Sequence, residues 1–331
     1  MSSFAFGFGG DDIEADENDL QTPGEGSSID TAEGEVQPSV PPKSHDIREL
    51  VEDVGDSNAP LEGLDNSDLT TNVYEGGFKS WECSIDLVKY LLDRGPRKDL
   101  DDLCRVNHII EFGCGTALPT LLMFQYALVN SLQMYFTLTD YNASVLRTCS
   151  FPNLFLTYCS TLPATEHPFS ESEPNPLANL NDADPDEEWQ TEDLIVTEAL
   201  KEMFLANLSE SGVHLTLISG SWCPPSPFLS LFPTNGASAK LNTFVVASET
   251  IYSIPSLKTF SAVLMDTLRP VSMGKAIIAA KKVYFGVGGG VQEFRQEIGH
   301  GGGVAWEIVD FDLGQDAGGV GRCLLEVQTS F

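Results

Sequence analysis

From residue 84 to the C-terminus, short apolar runs alternate with longer runs whose apolar residues recur every three or four positions, and this alternation leaves few folds open. The strand-sized runs are HIIEF (108–112), MYFTLTDY (134–141), VHLTLISG (213–220), NTFVVASE (242–249) and KAIIAAKKVYF (275–285). Helical patterns separate them: SIDLVKYLLDR before the first, then TALPTLLMFQYAL, NASVLRTC and PSLKTFSAVLMDTLR, with VQEFRQEI after the last. Strands joined through helices must lie parallel, and parallel sheets bury both faces under those helices. VAWEIVDFDL and GRCLLEVQTSF close the chain with no helix between them, which predicts an antiparallel pair. The expectation is an α/β fold: a mostly parallel seven-stranded sheet with an antiparallel C-terminal hairpin and helices on both faces.

Local signals place the helix ends. Ser84 suits an N-cap, with Ile85, Val88 and Leu92 on one helical face and Leu87 and Leu91 beside it. Pro119 is tolerable only in a first turn, where no amide hydrogen is needed, and Pro255 suits the same position in its helix. Asn142 caps the helix that follows the third run.

Charge divides the chain. Residues 1–72 hold 18 acids against Lys43 and Arg48, and residues 160–212 hold 13 acids against Lys201 alone. These two stretches carry −16 and −12 of the formal −31, leaving −3 for everything else. Low hydrophobicity and high charge predict a disordered acidic N-terminal region over 1–72 and one folded domain over 73–331, interrupted by an acidic disordered insertion at about 160–212. Acidic appendages disfavour direct nucleic-acid binding, which needs clustered Lys and Arg, and suit capture of a basic partner.

The seven cysteines are scattered and odd in number, and none forms a C-x-x-C clamp, so reduced thiols and no metal site are expected. His45, His108, His167, His214 and His300 show no ligand spacing. The first residues, MSSFAFGFGGDDIEADE, lack the basic and apolar regions of a signal peptide, and no apolar run approaches the roughly 20 residues of a membrane span. The expectations are no membrane, a location in cytoplasm and nucleus, and a monomer.

The chemistry gathers at strand ends. IIEFGCGTALP (109–119) runs from a strand ending near Glu111 through Gly113, Cys114 and Gly115 into a helix. Glycines let a ligand approach the backbone, and the helix start offers unpaired N–H groups. A phosphate loop would need lysine after the glycines, where Thr116 and Ala117 stand, and a dinucleotide fingerprint would need glycine where Leu118 stands. A nucleoside-like ligand without a pyrophosphate remains. Asp140 ends the next strand, 25 residues after Gly115, where a carboxylate can take both ribose hydroxyls. Gly113, Asp140, Ser219 to Trp222 and Ser248 to Glu249 all fall at carboxyl ends of predicted strands, where open α/β sheets bind ligands.

EFGCGTALP followed by TDYN resembles the cofactor site of the Rossmann-like class I S-adenosylmethionine-dependent methyltransferases. Within that superfamily, VYEGGFKSWECSIDLVKYL, LTDYN, SGSW, ASETIYS and AAKKVYFGVGGG resemble, in the same order, the protein-histidine N-methyltransferases. The resemblance implies S-adenosyl-L-methionine as cofactor, lined by Ser80, Trp81, Glu82, Cys83 and Ser84 from a segment lying over it. It also implies roles for Glu111, Gly113 and Gly115 at the turn, for Asp140 at the ribose, and for Tyr141 and Asn142 beside the adenosine. Gly220, Ser221, Trp222 and Ser248 complete the implied cofactor set, with a Ser221 backbone N–H and the Trp222 ring at the adenine. Trp81 as a core anchor for the first helix is the plainer alternative. Ser221 and Thr243 stand where the family usually has acids.

Imidazole is already neutral at pH 7, so a histidine methyltransferase needs orientation more than a strong base. Glu249 or Tyr252 in SETIYS is the candidate catalytic group, accepting the imidazole N–H opposite the attacking nitrogen; a backbone-capping role for Glu249 is the alternative. YFGVGGG is expected at the active-site rim and GHGGGVAW as a flexible connection. The resemblance implies a protein substrate, large-subunit ribosomal protein three, which is basic. A protein-lysine methyltransferase of the same superfamily and an inactive cofactor-binding regulator stay open.

Overall fold

The computed structural model describes residues 40–55, 77–94, 106–178, 193–233, 241–271, 273–284, 288–313 and 321–329. Strand β1 (Lys43–His45) and helix α1 (Ile47–Asp53) come first, then α2 (Glu82–Asp93), β2 (His108–Phe112), α3 (Leu118–Val129) and β3 (Met134–Asp140). Next come α4 (Ala143–Val145), a π-helical turn (Leu146–Ser150) and α5 (Phe151–Cys159). After α6 (Glu198–Ser211) follow β4 (Val213–Ser219), α7 (Pro225–Leu229), β5 (Thr243–Ser248) and α8 (Ile254–Leu268). The chain then forms β6 (Gly274–Lys281), α9 (Val291–His300), β7 (Gly303–Glu307) and β8 (Arg322–Thr329).

One eight-stranded sheet runs in the order β1-β4-β3-β2-β5-β6-β8-β7. Strands β4, β3, β2, β5 and β6 are mutually parallel, with Ile110 of β2 opposite Thr137 on one side and Val245 on the other. All five residues of β2 are buried, as a central strand covered on both faces requires. Alternate residues face opposite cores. Ile109, Ile277 and Ala279 join α1, α2, α3, α5 and α6, while Ile110, Ile278 and Ala280 join α7, α8 and α9. This is the Rossmann-like α/β arrangement expected from the alternation. The order reverses between β2 and β5, which opens a crevice at their carboxyl ends.

The C-terminal pair is antiparallel as expected, but β8 inserts between β6 and β7. The eighth strand is a correction at the other edge: β1 pairs antiparallel with β4 and lies inside the stretch expected to be disordered. Leu50 and Val51 of α1 are 1% exposed, so an acidic segment is folded here because two apolar residues reach the core. The insertion is corrected likewise. Residues 198–211 form α6, burying Leu200, Phe204 and Leu208. Lys201, the insertion's sole base, joins the two: its Nζ donates to the Glu52 carbonyl at 3.1 Å and pairs with Glu198 at 3.2 Å. Residues 160–178 are ordered as well: Asn175 is buried, and its Nδ2 donates to the Cys159 carbonyl at 2.8 Å and the Leu162 carbonyl at 3.1 Å. Residues 1–39, 56–72 and 179–192 of the two acidic stretches lie outside the described residues.

Helix α2 starts three residues earlier than expected, with Trp81 rather than Ser84 as N-cap, and it buries Cys83, Leu87 and Leu91. Ile85 and Leu92, expected on the buried face, are 41% and 61% exposed. Two polar residues misled the pattern: Ser84 turns its hydroxyl to the Trp81 carbonyl, and buried Asp86 pairs with Arg322 of β8. Asn142 precedes α4 as expected, yet its side chain makes no capping bond. GHGGGVAW is no flexible link: a turn at Gly301 and Gly302 leads into Gly303, where a Cβ would come within 2.8 Å of the Met265 sulfur.

Candidate active site

The crevice is built from β2 upward. Beyond Phe112 the chain turns through Gly113 (φ 64°) and Gly115 (φ 50°), left-handed conformations that glycine adopts without penalty. Even Ala117, capping α3, is left-handed at φ 63°. Beneath the turn, Glu111 is 1% exposed and accepts a bond from the Thr120 backbone N–H at 3.1 Å. Burial pushes its pKa up to about 8. Asp140 clasps the turn from β3: its Oδ2 accepts from Gly115 N at 3.1 Å and its Oδ1 from Asn142 N at 3.0 Å. A carboxylate oxygen has two acceptor sites, so these bonds leave capacity for hydroxyl donors.

The π-helical turn and the start of α5 carry one residue each that the sequence did not single out. Ser150 donates to the Gly115 carbonyl at 2.6 Å, and Asn153 Nδ2 donates to the Thr116 carbonyl at 3.0 Å. A π turn redirects one side chain relative to α-helical spacing, so helical periodicity gave no signal for Ser150.

Segment 77–84 crosses over this turn. A Cβ on Gly115 would stand 2.9 Å from the Gly77 carbonyl, and Ser80 and Thr116 share a hydroxyl hydrogen bond at 3.0 Å. The Trp81 ring lies between two cations, Lys79 at 4.3 Å and Lys281 at 5.2 Å from its centroid. Ser84 is buried, and its hydroxyl donates to the Trp81 carbonyl at 2.7 Å at the start of α2.

A second group sits at the ends of β5 and β6. Glu249 follows Ser248 with φ 55°, a left-handed conformation that costs a non-glycine residue about 1–2 kcal/mol. Tyr284 donates to Glu249 Oε2 at 2.6 Å, and Lys281 Nζ lies 3.5 Å from Oε1 and 3.7 Å from Glu82. Oε1 is buried and makes no hydrogen bond among the described residues. Burial and the Glu249 carboxylate push the Cys83 thiol and the Tyr284 hydroxyl up, keeping both neutral. Tyr252 is held through its backbone, its carbonyl accepting from Gly289 N at 3.2 Å. A Cβ on Gly289 would fall 2.3 Å from the Ile251 carbonyl, so the YFGVGGG glycine lies against the SETIYS turn.

On the β4 side Trp222 reaches the glycine turn: a Cβ on Gly113 would meet its ring at 3.8 Å. The indole also packs edge-on against Phe112 at 5.5 Å. Ser221 is engaged within the chain through its backbone and its side chain. Its N–H donates to the Val40 carbonyl at 2.9 Å and its hydroxyl accepts from Cys223 N at 3.1 Å. Gly220 N donates to the carbonyls of Asp140 and Tyr141, both at 3.1 Å. Thr243 is buried and donates to the Leu241 carbonyl at 2.8 Å, a structural use.

The residues suit S-adenosylmethionine. Gly113 presents bare backbone between Thr250 and Trp222, Asp140 offers acceptors, and Trp222 Nε1 and Thr250 Oγ1 are buried with no hydrogen-bond partner among the described residues. Among those residues no group of three or more His, Cys, Asp or Glu could hold a metal ion, and no helix is long and apolar enough to cross a membrane.

Comparison with known proteins adds the following. The chain is 37% identical over 242 residues to histidine protein methyltransferase 1 of Saccharomyces cerevisiae, covering 71% of this chain and 59% of that protein. It is 32% identical over 246 residues to histidine protein methyltransferase 1 of Schizosaccharomyces pombe, covering 73% and 62%. It is a homologue of these proteins across that span and spans about three-fifths of their length. Among solved structures, the glycopeptide N-methyltransferase MtfA complexed with sinefungin aligns with TM-score 0.36 and 11% identity over 78% of this chain and 90% of that one. No family model matches the chain.

Proposed function

We propose that the protein transfers a methyl group from S-adenosylmethionine to a histidine side chain of a protein substrate. The observation that carries this reading is homology to two histidine protein methyltransferases over 71% and 73% of the chain. The cofactor supplies an electrophilic methyl on a sulfonium, and the chain's task is to place a neutral imidazole nitrogen about 3 Å from it with water excluded.

The residues divide that task. Gly113 and Gly115 admit the nucleoside, and Asp140 fixes the turn and faces the ribose. Trp222 forms an apolar wall at the turn beside Gly113. Glu249, aimed by Tyr284 and Lys281, holds the substrate ring by accepting the N–H of the nitrogen that does not react. Its strained backbone favours this use over backbone capping. Tyr252 stands at the rim, positioned through Gly289.

The substrate we infer is large-subunit ribosomal protein three, a basic protein matched to an acidic chain acting as a monomer in cytoplasm and nucleus, with no direct contact to nucleic acid. The test is transfer of labelled methyl to ribosomal proteins from cells lacking the enzyme, followed by hydrolysis to amino acids. Label in methylhistidine on that protein is expected, and Glu249→Ala should cut turnover at least tenfold with cofactor affinity unchanged. Label in methyllysine would make the protein a lysine methyltransferase, and cofactor binding without transfer would make it an inactive regulator.

A further inference from the structure

The segment Val40–His45 meets the crevice where the sequence gave no reason to expect it. β1 pairs with the last three residues of β4, placing Lys43 opposite Ser219, Ser44 opposite Ile218 and His45 opposite Leu217. His45 Nε2 and the Ser219 hydroxyl are 2.8 Å apart. Past the end of β4 the contact continues through Ser221 N and the Val40 carbonyl at 2.9 Å. Gly220 is shaped by the same contact: at φ 105° a Cβ there would stand 2.7 Å from the Pro41 carbonyl and 2.9 Å from Pro42 Cα. The segment is anchored at its far end by α1, through buried Leu50 and Val51, the Lys201 bond to the Glu52 carbonyl, and the Arg147–Asp53 pair at 3.0 Å.

What the segment grips is the nucleoside side of the crevice. Loop 219–222 carries Trp222 to Gly113, and its Gly220 N–H ties the backbone at Asp140 and Tyr141. Ser219 and Gly220 are thus held from two sides, by β3 and by the N-terminal segment, and Ser221 is held by the N-terminal segment. A three-residue edge strand with exposed Lys43 and Ser44 adds little to the core, so its contribution lies in where it sets this loop.

We propose that Val40–His45 is a positioning strap for the nucleoside half of the cofactor site, setting loop 219–222 and with it Trp222 and the Asp140 turn. The strap touches no reacting atom; it sets cofactor affinity and leaves the chemical step alone. This rests on the reading of the crevice as an S-adenosylmethionine site, and the experiment separates the two.

S-adenosylhomocysteine is titrated calorimetrically into the full chain and into two variants. The first, Lys43→Pro/Ser44→Pro, removes whichever strand N–H faces β4. The second, His45→Ala, removes only the Ser219 contact. The double variant is expected to raise Kd at least tenfold and His45→Ala two- to fivefold. In both, KM for the cofactor rises while kcat at saturating cofactor stays within twofold, and amide exchange at Ser221 quickens in the double variant. A Kd within twofold of wild type, with the Ser221 amide deprotected, overturns the strap. If the double variant fails to fold, an unchanged Kd for folded His45→Ala overturns it equally. No binding by wild type would instead remove the cofactor reading itself.

Discussion

Glu111 illustrates how burial sets chemistry at the residue scale. Desolvation raises its pKa to about 8 against the lowering effect of the Thr120 bond, so the folded state holds the neutral acid at neutral pH. Because the folded pKa exceeds the unfolded value of 4.5, its contribution to stability is complete below about pH 4.5 and is lost as pH rises toward 8. Glu111→Gln should therefore flatten the stability profile between pH 5 and 8. Calorimetric melting at both ends checks this, and identical pH dependence in the variant would count against it. The sequence named Glu111, Gly113, Gly115 and Asp140 because a glycine turn between strand and helix is a local pattern. It missed Ser150 and the Val40 partner of Ser221, because those pairings span 35 residues or more of the chain and no local pattern encodes them.

At the scale of elements, the five parallel strands and the helices between them were legible from periodicity. What was not legible is long-range pairing. Asp86 of α2 is 3% exposed and pairs with Arg322 of β8 across 236 residues, tying the helix that begins the crevice's cover to the final strand. Asp86 breaks the apolar stripe of α2, which is why the buried face was assigned to Ile85 and Leu92. Removing one partner of such a pair leaves a buried charge, so Arg322→Met should cost about 3–5 kcal/mol. The double variant Asp86→Leu/Arg322→Met should recover most of that loss. Denaturant unfolding of both variants decides it, and additive losses would show that the two residues act separately.

For the whole molecule, charge was the misleading signal. The acidic composition of residues 1–72 and 160–212 predicted disorder throughout, yet α1 and α6 fold by burying Leu50, Val51, Leu200 and Phe204 and share one lysine. Short apolar stretches inside an acidic segment suffice once a sheet edge is available, and the sheet edge is not visible in the local sequence. The fold then sets its switch point between β2 and β5, so that motifs spread from Gly77 to Gly289 meet in one crevice. The claim on which everything else depends is that this crevice binds the cofactor at the Asp140 turn. The direct measurement is calorimetric titration of S-adenosylhomocysteine into wild type and Asp140→Asn. Loss of charge-assisted bonds of about 1.5–3 kcal/mol predicts an affinity reduced roughly 10- to 100-fold with the fold intact. Equal affinity in the two proteins would contradict the placement of the cofactor.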